Sequence, residues 1–232
     1  EHNYIGLKGG IMDQFTILNG KKNKLIHLEC YSRNFKYVNA DFSDFQIILL
    51  NTNVEHNLAS TAYNDRVEEC NDALKIINNK SDNNYSTLCD VNPHTVFNLK
   101  NILNTKIYNR ASFVINENQR TSDAAKKLNE SKFDDLGYLM YKSHSGLKNL
   151  YEVSCDELDF LVDLTKPYEK ILGARMMGGG FGGCTINLVE KSFKDEFVEK
   201  ACKSYKNKFR IDLTPIEITI CEGVKIKNLQ TD

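Results

Sequence analysis

Three features that would point to particular classes of protein are missing from this sequence: long apolar runs, an excess of one charge, and paired cysteines. No apolar run reaches the roughly 20 residues of a membrane-spanning helix, and no signal peptide is visible, so a membrane partner is not expected. The formal net charge of -1 and the scattered lysines give no electrostatic reason to expect a nucleic-acid partner. These absences favour a small-molecule partner.

The seven cysteines include no Cys-x-x-Cys pair, and their number is odd. This pattern fits neither a disulfide framework nor a zinc site, and it predicts reduced thiols in a cytoplasmic protein. With 232 residues, 41% of them hydrophobic and 26% charged, the chain has the composition of an ordinary globular protein with one large domain or two small ones.

Glycine is concentrated in one stretch, residues 175–184, where five of the thirteen glycines fall within six positions. Glycine permits positive φ angles and close approach to other groups, but each one costs conformational entropy on folding. A loop of this kind can bind an anion with its main-chain N–H groups or let a sugar lie directly on the backbone. The alternative is a floppy hairpin tip, which needs only one or two glycines.

Two common nucleotide motifs do not fit the glycine stretch. Gly178, Gly180 and Gly183 are spaced as G-x-G-x-x-G, but residues 184–189 alternate as a strand, whereas the dinucleotide motif opens a helix. No Gly-Lys-Ser or Gly-Lys-Thr follows the glycines, which excludes a P-loop. The sequence therefore predicts a strand, a glycine loop and a second strand.

A carboxylate follows a second, smaller glycine group near the start of the chain. In Gly9-Gly10-Ile11-Met12-Asp13 the acid lies beside backbone that allows close approach, which suits a base next to a substrate. The alternative is a turn followed by an aspartate at the start of a helix.

The spacing of the apolar residues predicts a mixture of helices and strands, and therefore an α+β sandwich. Asn19-Gly20 between two apolar runs predicts a β-hairpin. Helical period predicts a long amphipathic helix that contains Tyr63, and Ser154 and Ser192 are predicted to cap two later helices. The strands predicted outside the glycine stretch lie at 16–18, 25–28, 35–38, 46–50 and 216–220.

Three stretches together resemble the galactokinases, which are members of the GHMP family of small-molecule kinases. Gly-Gly-Ile-Met-Asp-Gln-Phe (9–15) looks like the segment that holds the catalytic aspartate of that family. Arg-Met-Met-Gly-Gly-Gly-Phe-Gly-Gly-Cys (175–184) looks like the third conserved GHMP motif. Asn-Thr-Asn-Val-Glu-His-Asn-Leu-Ala-Ser-Thr-Ala-Tyr (51–63) is similar to the segment whose tyrosine touches the sugar, and the resemblance covers nearly all of the chain.

The resemblance implies a GHMP-kinase-like α+β fold, with a partial N-terminal α/β domain over 1–55 and a helix-rich C-terminal domain over 56–232. It also implies ATP-dependent phosphorylation of galactose at its C1 hydroxyl, with ATP and Mg²⁺ as cofactors. Asp13 corresponds to the catalytic aspartate, Gly10 to a main-chain contact with the sugar, and Tyr63 to a sugar-binding hydroxyl. The glycine-rich motif comprises Gly178, Gly179, Gly180, Phe181, Gly182 and Gly183.

Two motifs of the family, a sugar-binding segment and a Pro-x-Gly-x-Gly-Leu-Ser-Ser-Ser loop around the ATP phosphates, would precede Glu1. The resemblance therefore assigns no metal ligand to this chain and implies a fragment that is inactive alone. Two alternatives stay open: a non-catalytic galactokinase-like sensor of sugar and ATP, and a GHMP kinase for another small alcohol. His144 on its apolar helix is expected to pack rather than to take part in chemistry, and no oligomeric state is predicted.

Overall fold

The computed structural model describes residues 10–55, 59–81 and 83–225. The helices in these ranges are α1 (Met12–Asn19), α2 (Ala59–Lys80), α3 (Val96–Leu99), α4 (Thr105–Asn129), α5 (Phe133–Gly146), α6 (Asp156–Thr165) and α7 (Lys194–Phe209). The strands are β1 (Lys24–Leu28), β2 (Phe35–Asn39), β3 (Phe45–Glu55), β4 (Ile171–Met176), β5 (Gly182–Glu190) and β6 (Thr214–Ile218). A π-helical turn, Leu147–Tyr151, continues α5, and short 3-10 turns lie at Leu88–Asp90, Pro93–Thr95 and Lys191–Phe193.

Four strands form an antiparallel sheet in the order β4-β5-β3-β6, and helices cover both of its faces. Val189 of β5 packs with Phe197 of α7 in a buried cluster on one face. Leu188, the neighbouring residue on the same strand, packs on the other face with Leu128 of α4 and Leu136 of α5. The predicted α+β sandwich is therefore confirmed. The strands β1 and β2 pair with each other in a separate antiparallel hairpin.

The helix α2 is the long amphipathic helix that the sequence predicts. Ala73 and Ile77 on its buried side pack with Leu99 of α3 and Ile115 of α4. Tyr63 lies near the N-terminal end of α2, where it is half-buried. The packing of α2 against α4 therefore fixes where this tyrosine lies.

Two glycines allow α5 to touch β4. A Cβ added to Gly137 would lie 1.9 Å from the carbonyl oxygen of Leu172, and one added to Gly173 would lie 2.4 Å from the Cα of Gly137. Neither residue needs a positive φ angle, so each is required for close approach. The helix backbone lies directly on the strand that leads into the glycine stretch.

The predicted strand at 16–18 is wrong, because these residues belong to the helix α1. Asn19-Gly20 ends that helix instead of turning a hairpin: the Gly20 N–H donates to the Thr16 carbonyl at 2.8 Å, and the Asn19 side chain donates to the Phe15 carbonyl at 3.0 Å. Asn-Gly is typical both of hairpin turns and of helix ends, so the dipeptide alone did not separate the two.

Neither predicted serine cap forms. The N-cap of α6 is Cys155, without a side-chain cap, and the Ser154 hydroxyl instead donates to the Asp159 carboxylate at 2.6 Å. The Ser192 hydroxyl donates to Glu190, and a 3-10 turn leads into α7. In both cases the hydroxyl donates to a nearby carboxylate.

The boundary expected at residue 55 stays a prediction. The strand β3, which precedes it, is hydrogen-bonded to β5 on one side and to β6 on the other. The central sheet therefore contains strands from both sides of that boundary.

Gly137→Ala should destabilise the protein although alanine has the higher helix propensity. Propensity alone would add about 1 kcal/mol of stability, but the clash with the Leu172 carbonyl should remove about 1–3 kcal/mol or more from the free energy of unfolding. Urea denaturation measures the difference. Gly10→Ala is the control, because, apart from its chain neighbours, no atom of the described residues lies within 4 Å of a Cβ added there. An unchanged or raised stability of Gly137→Ala would contradict the close contact.

Candidate active site around the glycine loop

Residues 178–183, here called the glycine loop, lie between β4 and β5 and include the first two residues of β5. Most of them have φ angles in the left-handed region. The φ angles are 74° at Gly178, 87° at Gly180, 131° at Gly182 and 79° at Gly183, and Phe181 has a φ of 58° without being glycine. Such angles are readily accessible to glycine and costly for other residues. The predicted order of strand, glycine loop and strand is confirmed.

The glycine loop is attached to the rest of the protein at its tip and at its base. The Phe181 N–H donates to the carbonyl of Val153 at 2.8 Å, and the Met177 N–H donates to the carbonyl of Cys184 at 3.0 Å. A Cβ on Gly180 would lie 2.0 Å from the same Val153 oxygen. The loop is therefore anchored at Val153.

Tyr63 lies against the glycine loop. A Cβ added to Gly179 would lie 3.2 Å from Cδ2 of the tyrosine ring. At Gly178 and Gly183, apart from the chain neighbours, no atom of the described residues would lie within 4 Å of an added Cβ. The structure thus brings the candidate sugar-binding tyrosine to a loop that also has open faces.

Asp13 and Gly10 lie at the start of α1, and both are exposed. Met12, the neighbour of Asp13, lines a cavity of about 320 Å³ together with Met177 and Gly178. The beginning of α1 and the glycine loop therefore border the same cavity. An acid in the first turn of a helix also interacts favourably with the helix dipole, so the position of Asp13 is compatible with both roles predicted from the sequence.

His144 is buried, but two polar groups hold it. Its Nδ1 accepts the N–H of Met176, the last residue of β4, at 3.2 Å, and its Nε2 lies 3.2 Å from Oδ1 of Asp159. Because Nδ1 is the acceptor, the proton of the neutral imidazole lies on Nε2, facing Asp159. His144 therefore ties the strand that enters the glycine loop to α6, a role that its isolated position in an apolar helix did not reveal.

Three donors surround the carboxylate of Asp159. Burial raises its pKa, but contacts with His144 at 3.2 Å, Lys148 at 2.8 Å and Ser154 at 2.6 Å outweigh burial and hold the pKa at about 2. The ionised carboxylate is therefore part of the folded structure around residues 144–159.

A buried ionic network lies between α2, α4 and the π-helical turn. The guanidinium of Arg110 is almost fully buried, and it contacts Glu69 at 2.9 Å, Glu152 at 2.6 Å and the carbonyl of Leu150. Sequence reasoning missed this network. The available signal was an arginine on the apolar stripe of α4, because Arg110 lies on the same helix face as Ile107.

Among the described residues, no group of three or more histidine, cysteine, aspartate or glutamate side chains could hold a metal ion. In the same part of the chain, no helix has the length and apolar character needed to cross a membrane.

The region around the glycine loop matches one family model. Residues 124–207, which run from α4 through the glycine loop into α7, match the family model described as GHMP kinases C terminal.

Over nearly its whole length, the chain is similar to galactokinases. It is 38% identical to the galactokinase of Thermotoga neapolitana, over 97% of this chain and 61% of the relative. It is 37% identical to the galactokinase of Limosilactobacillus fermentum, over 96% of this chain and 57% of the relative. The crystal structure of Lactococcus lactis galactokinase complexed with galactose matches with a TM-score of 0.90 and 31% identity, over 96% of this chain and 57% of that chain. The chain spans 57–61% of the length of these relatives.

Asp159→Asn should destabilise the protein at neutral pH and much less in acid. The folded pKa of about 2 lies below the ordinary value of 3.8, so the carboxylate stabilises the folded state above pH 4 and loses this effect as the pH falls towards 2. At pH 7 the free energy of unfolding should fall by about 1–2 kcal/mol. Urea denaturation at pH 7, 4 and 3 measures the change.

The control for this prediction is Asp163→Asn, on the same helix. Asp163 is exposed and forms its ion pair with the exposed Lys166, so its loss should change stability by less than about 0.5 kcal/mol. If the free energies of unfolding of wild type and Asp159→Asn differ by the same amount at every pH, the ionised state assigned to Asp159 is contradicted.

Proposed function

We propose that the protein is an ATP-dependent galactokinase, which transfers the γ-phosphoryl group of ATP to the C1 hydroxyl of galactose. The support comes from the similarity to galactokinases over nearly the whole chain and from the named galactose complex of the Lactococcus lactis relative. The observation that carries the proposal is the packing of Tyr63 against Gly179, which joins two of the motifs that resemble the family.

Each candidate residue has a separate task in this proposal. Asp13 accepts the proton of the C1 hydroxyl, or activates that hydroxyl electrostatically, as it attacks the γ-phosphate. The main chain of Gly10 contacts the sugar, and the Tyr63 hydroxyl forms a hydrogen bond with it. The glycine loop lets the sugar lie close to the backbone. Mg²⁺ accompanies ATP and neutralises charge on the phosphates, and no residue described here is assigned to it.

We also infer that the protein works in the cytoplasm on small molecules, with no nucleic-acid or membrane partner. All seven cysteines are free thiols, which supports a reducing compartment.

Asp13→Asn in the full-length protein should lower kcat for galactose about 10²- to 10⁴-fold, because a positioned base contributes that much to a proton transfer. Galactose binding should survive, since the amide keeps the size of the side chain. A coupled assay for ADP gives kcat, and calorimetry gives the binding constant. Asp72→Asn, an exposed residue that pairs with Lys75 on α2, is the control.

A near-normal kcat of Asp13→Asn would remove this residue from the chemistry. Galactose binding without turnover in the wild-type protein would reject the kinase and support the non-catalytic sensor.

Tyr63→Phe should raise the KM for galactose about 2- to 10-fold, because a neutral hydrogen bond contributes roughly 0.5–1.5 kcal/mol. The melting temperature should stay the same, since phenylalanine keeps the ring that lies on Gly179. The same coupled assay and a thermal denaturation curve measure the two effects. A lower melting temperature with an unchanged KM would show that Tyr63 only packs.

A further inference from the structure

Arg66 lies one helical turn after Tyr63 on α2. Its side chain binds main-chain oxygens of the last residue of the π-helical turn and of the residue that follows it. Its Nε donates to the carbonyl of Tyr151 at 2.7 Å, and Nη2 donates to the carbonyl of Glu152 at 3.2 Å. Its Nη1 lies 3.1 Å from Glu69, and the Arg66 side chain is only 12% exposed. This arginine is therefore a bridge between two elements and differs from an ordinary surface ion pair.

The two carbonyls belong to a helix end with unusual backbone. Glu152 follows the π-helical turn with a φ of 55°, in the left-handed region that costs free energy for a residue other than glycine. Carbonyls at the C-terminal end of a helix lack partners within the helix. Arg66 supplies partners at this point and holds the backbone in its left-handed turn.

The next residue along the chain connects this helix end to the glycine loop. Val153 accepts the Phe181 N–H at 2.8 Å, and Gly180 lies against the same carbonyl oxygen. The loop then returns to α2, because Gly179 lies against the ring of Tyr63. The contacts form a closed ring that starts and ends on α2.

We propose that Arg66 is a positioning residue, which sets the glycine loop against Tyr63 and thereby controls the affinity for galactose. The inference rests on the proposed function. Arg66 acts through the backbone of residues 151–153 and does not touch the reacting groups. Its loss moves the loop relative to the tyrosine without removing any group that binds the sugar.

Arg66 can be replaced without leaving an unpaired buried charge. Burial raises the pKa of Glu69, but Lys106 at 2.5 Å, Arg110 at 2.9 Å and Arg66 together hold it below its usual value. Lys106 and Arg110 stay in place when Arg66 is changed. Arg110 is a poorer target, because its loss would leave the carboxylates of Glu69 and Glu152 without their common partner and threaten folding.

The test compares Arg66→Gln and Arg66→Lys with Lys75→Gln, an exposed residue of the same helix that pairs with Asp72 at 3.1 Å. In the full-length protein, Arg66→Gln should raise the KM for galactose about 10-fold and change kcat less than 3-fold, as expected when binding contacts are misplaced. Arg66→Lys keeps the charge but lacks the planar fork, so it should restore part of the affinity. Lys75→Gln should have the wild-type KM.

Amide hydrogen exchange supplies a measurement that needs no activity. In Arg66→Gln, exchange of the Phe181 amide should accelerate at least 10-fold, because the backbone next to its acceptor Val153 loses two of the hydrogen bonds that hold it. The amide of Leu188, in the central strand β5, should keep its wild-type rate. Equal acceleration at both amides would indicate general destabilisation and overturn the inference.

The outcomes separate this inference from the proposed function. If the wild type phosphorylates galactose but Arg66→Gln keeps the wild-type KM, the positioning role is wrong and the kinase stands. If the wild type does not phosphorylate galactose, the proposed function fails, and the effect of Arg66→Gln on galactose affinity is then measured by calorimetry. An unchanged Phe181 exchange rate in Arg66→Gln would overturn the inference whether or not the wild type phosphorylates galactose.

Discussion

The hydrogen bond from the Phe181 N–H to the Val153 carbonyl is the contact on which the site depends. The glycine loop has five positions with positive φ, and its glycines make it very flexible in the unfolded chain. It therefore takes one fixed conformation in the folded protein only if a contact outside the loop holds its tip. Gly180 is pressed against the same oxygen, so neither the bond nor the contact leaves room for a side chain at that position. The position of Val153 therefore decides where the loop lies.

Two polar clusters hold the chain on either side of Val153. On one side, Arg66 and Arg110 bind the carbonyls and the carboxylate of residues 150–152. On the other, Asp159 collects hydrogen bonds from Ser154 and His144. Buried charges are costly unless they are paired, so such clusters contribute less to net stability than apolar packing of the same volume would. Here the two clusters fix the backbone between α5 and α6, which includes Val153, the anchor of the glycine loop.

Features with a local sequence pattern, such as a helical period or an alternation of apolar residues, could be predicted from the sequence. Features that depend on contacts between residues far apart in the chain were missed. Alternation and helical period located β5 and α2, and the cluster of glycines located the loop. Asn19-Gly20 misled because the same dipeptide ends helices and turns hairpins. Ser154 has the spacing of a capping box, but its hydroxyl donates to the carboxylate of Asp159 instead of capping the helix. The network of Arg110 and the contact of Gly137 with β4 join segments far apart in the chain, and no local pattern specifies them.

We propose that galactose binds where Tyr63 meets the glycine loop. A galactose titration of the isotope-labelled full-length protein, followed by NMR at the assigned backbone amides, tests this proposal. Saturable shifts are expected for residues 178–183 and for Tyr63, with the same dissociation constant at each. Saturable shifts confined to other parts of the protein, while these amides stay unchanged, would contradict it.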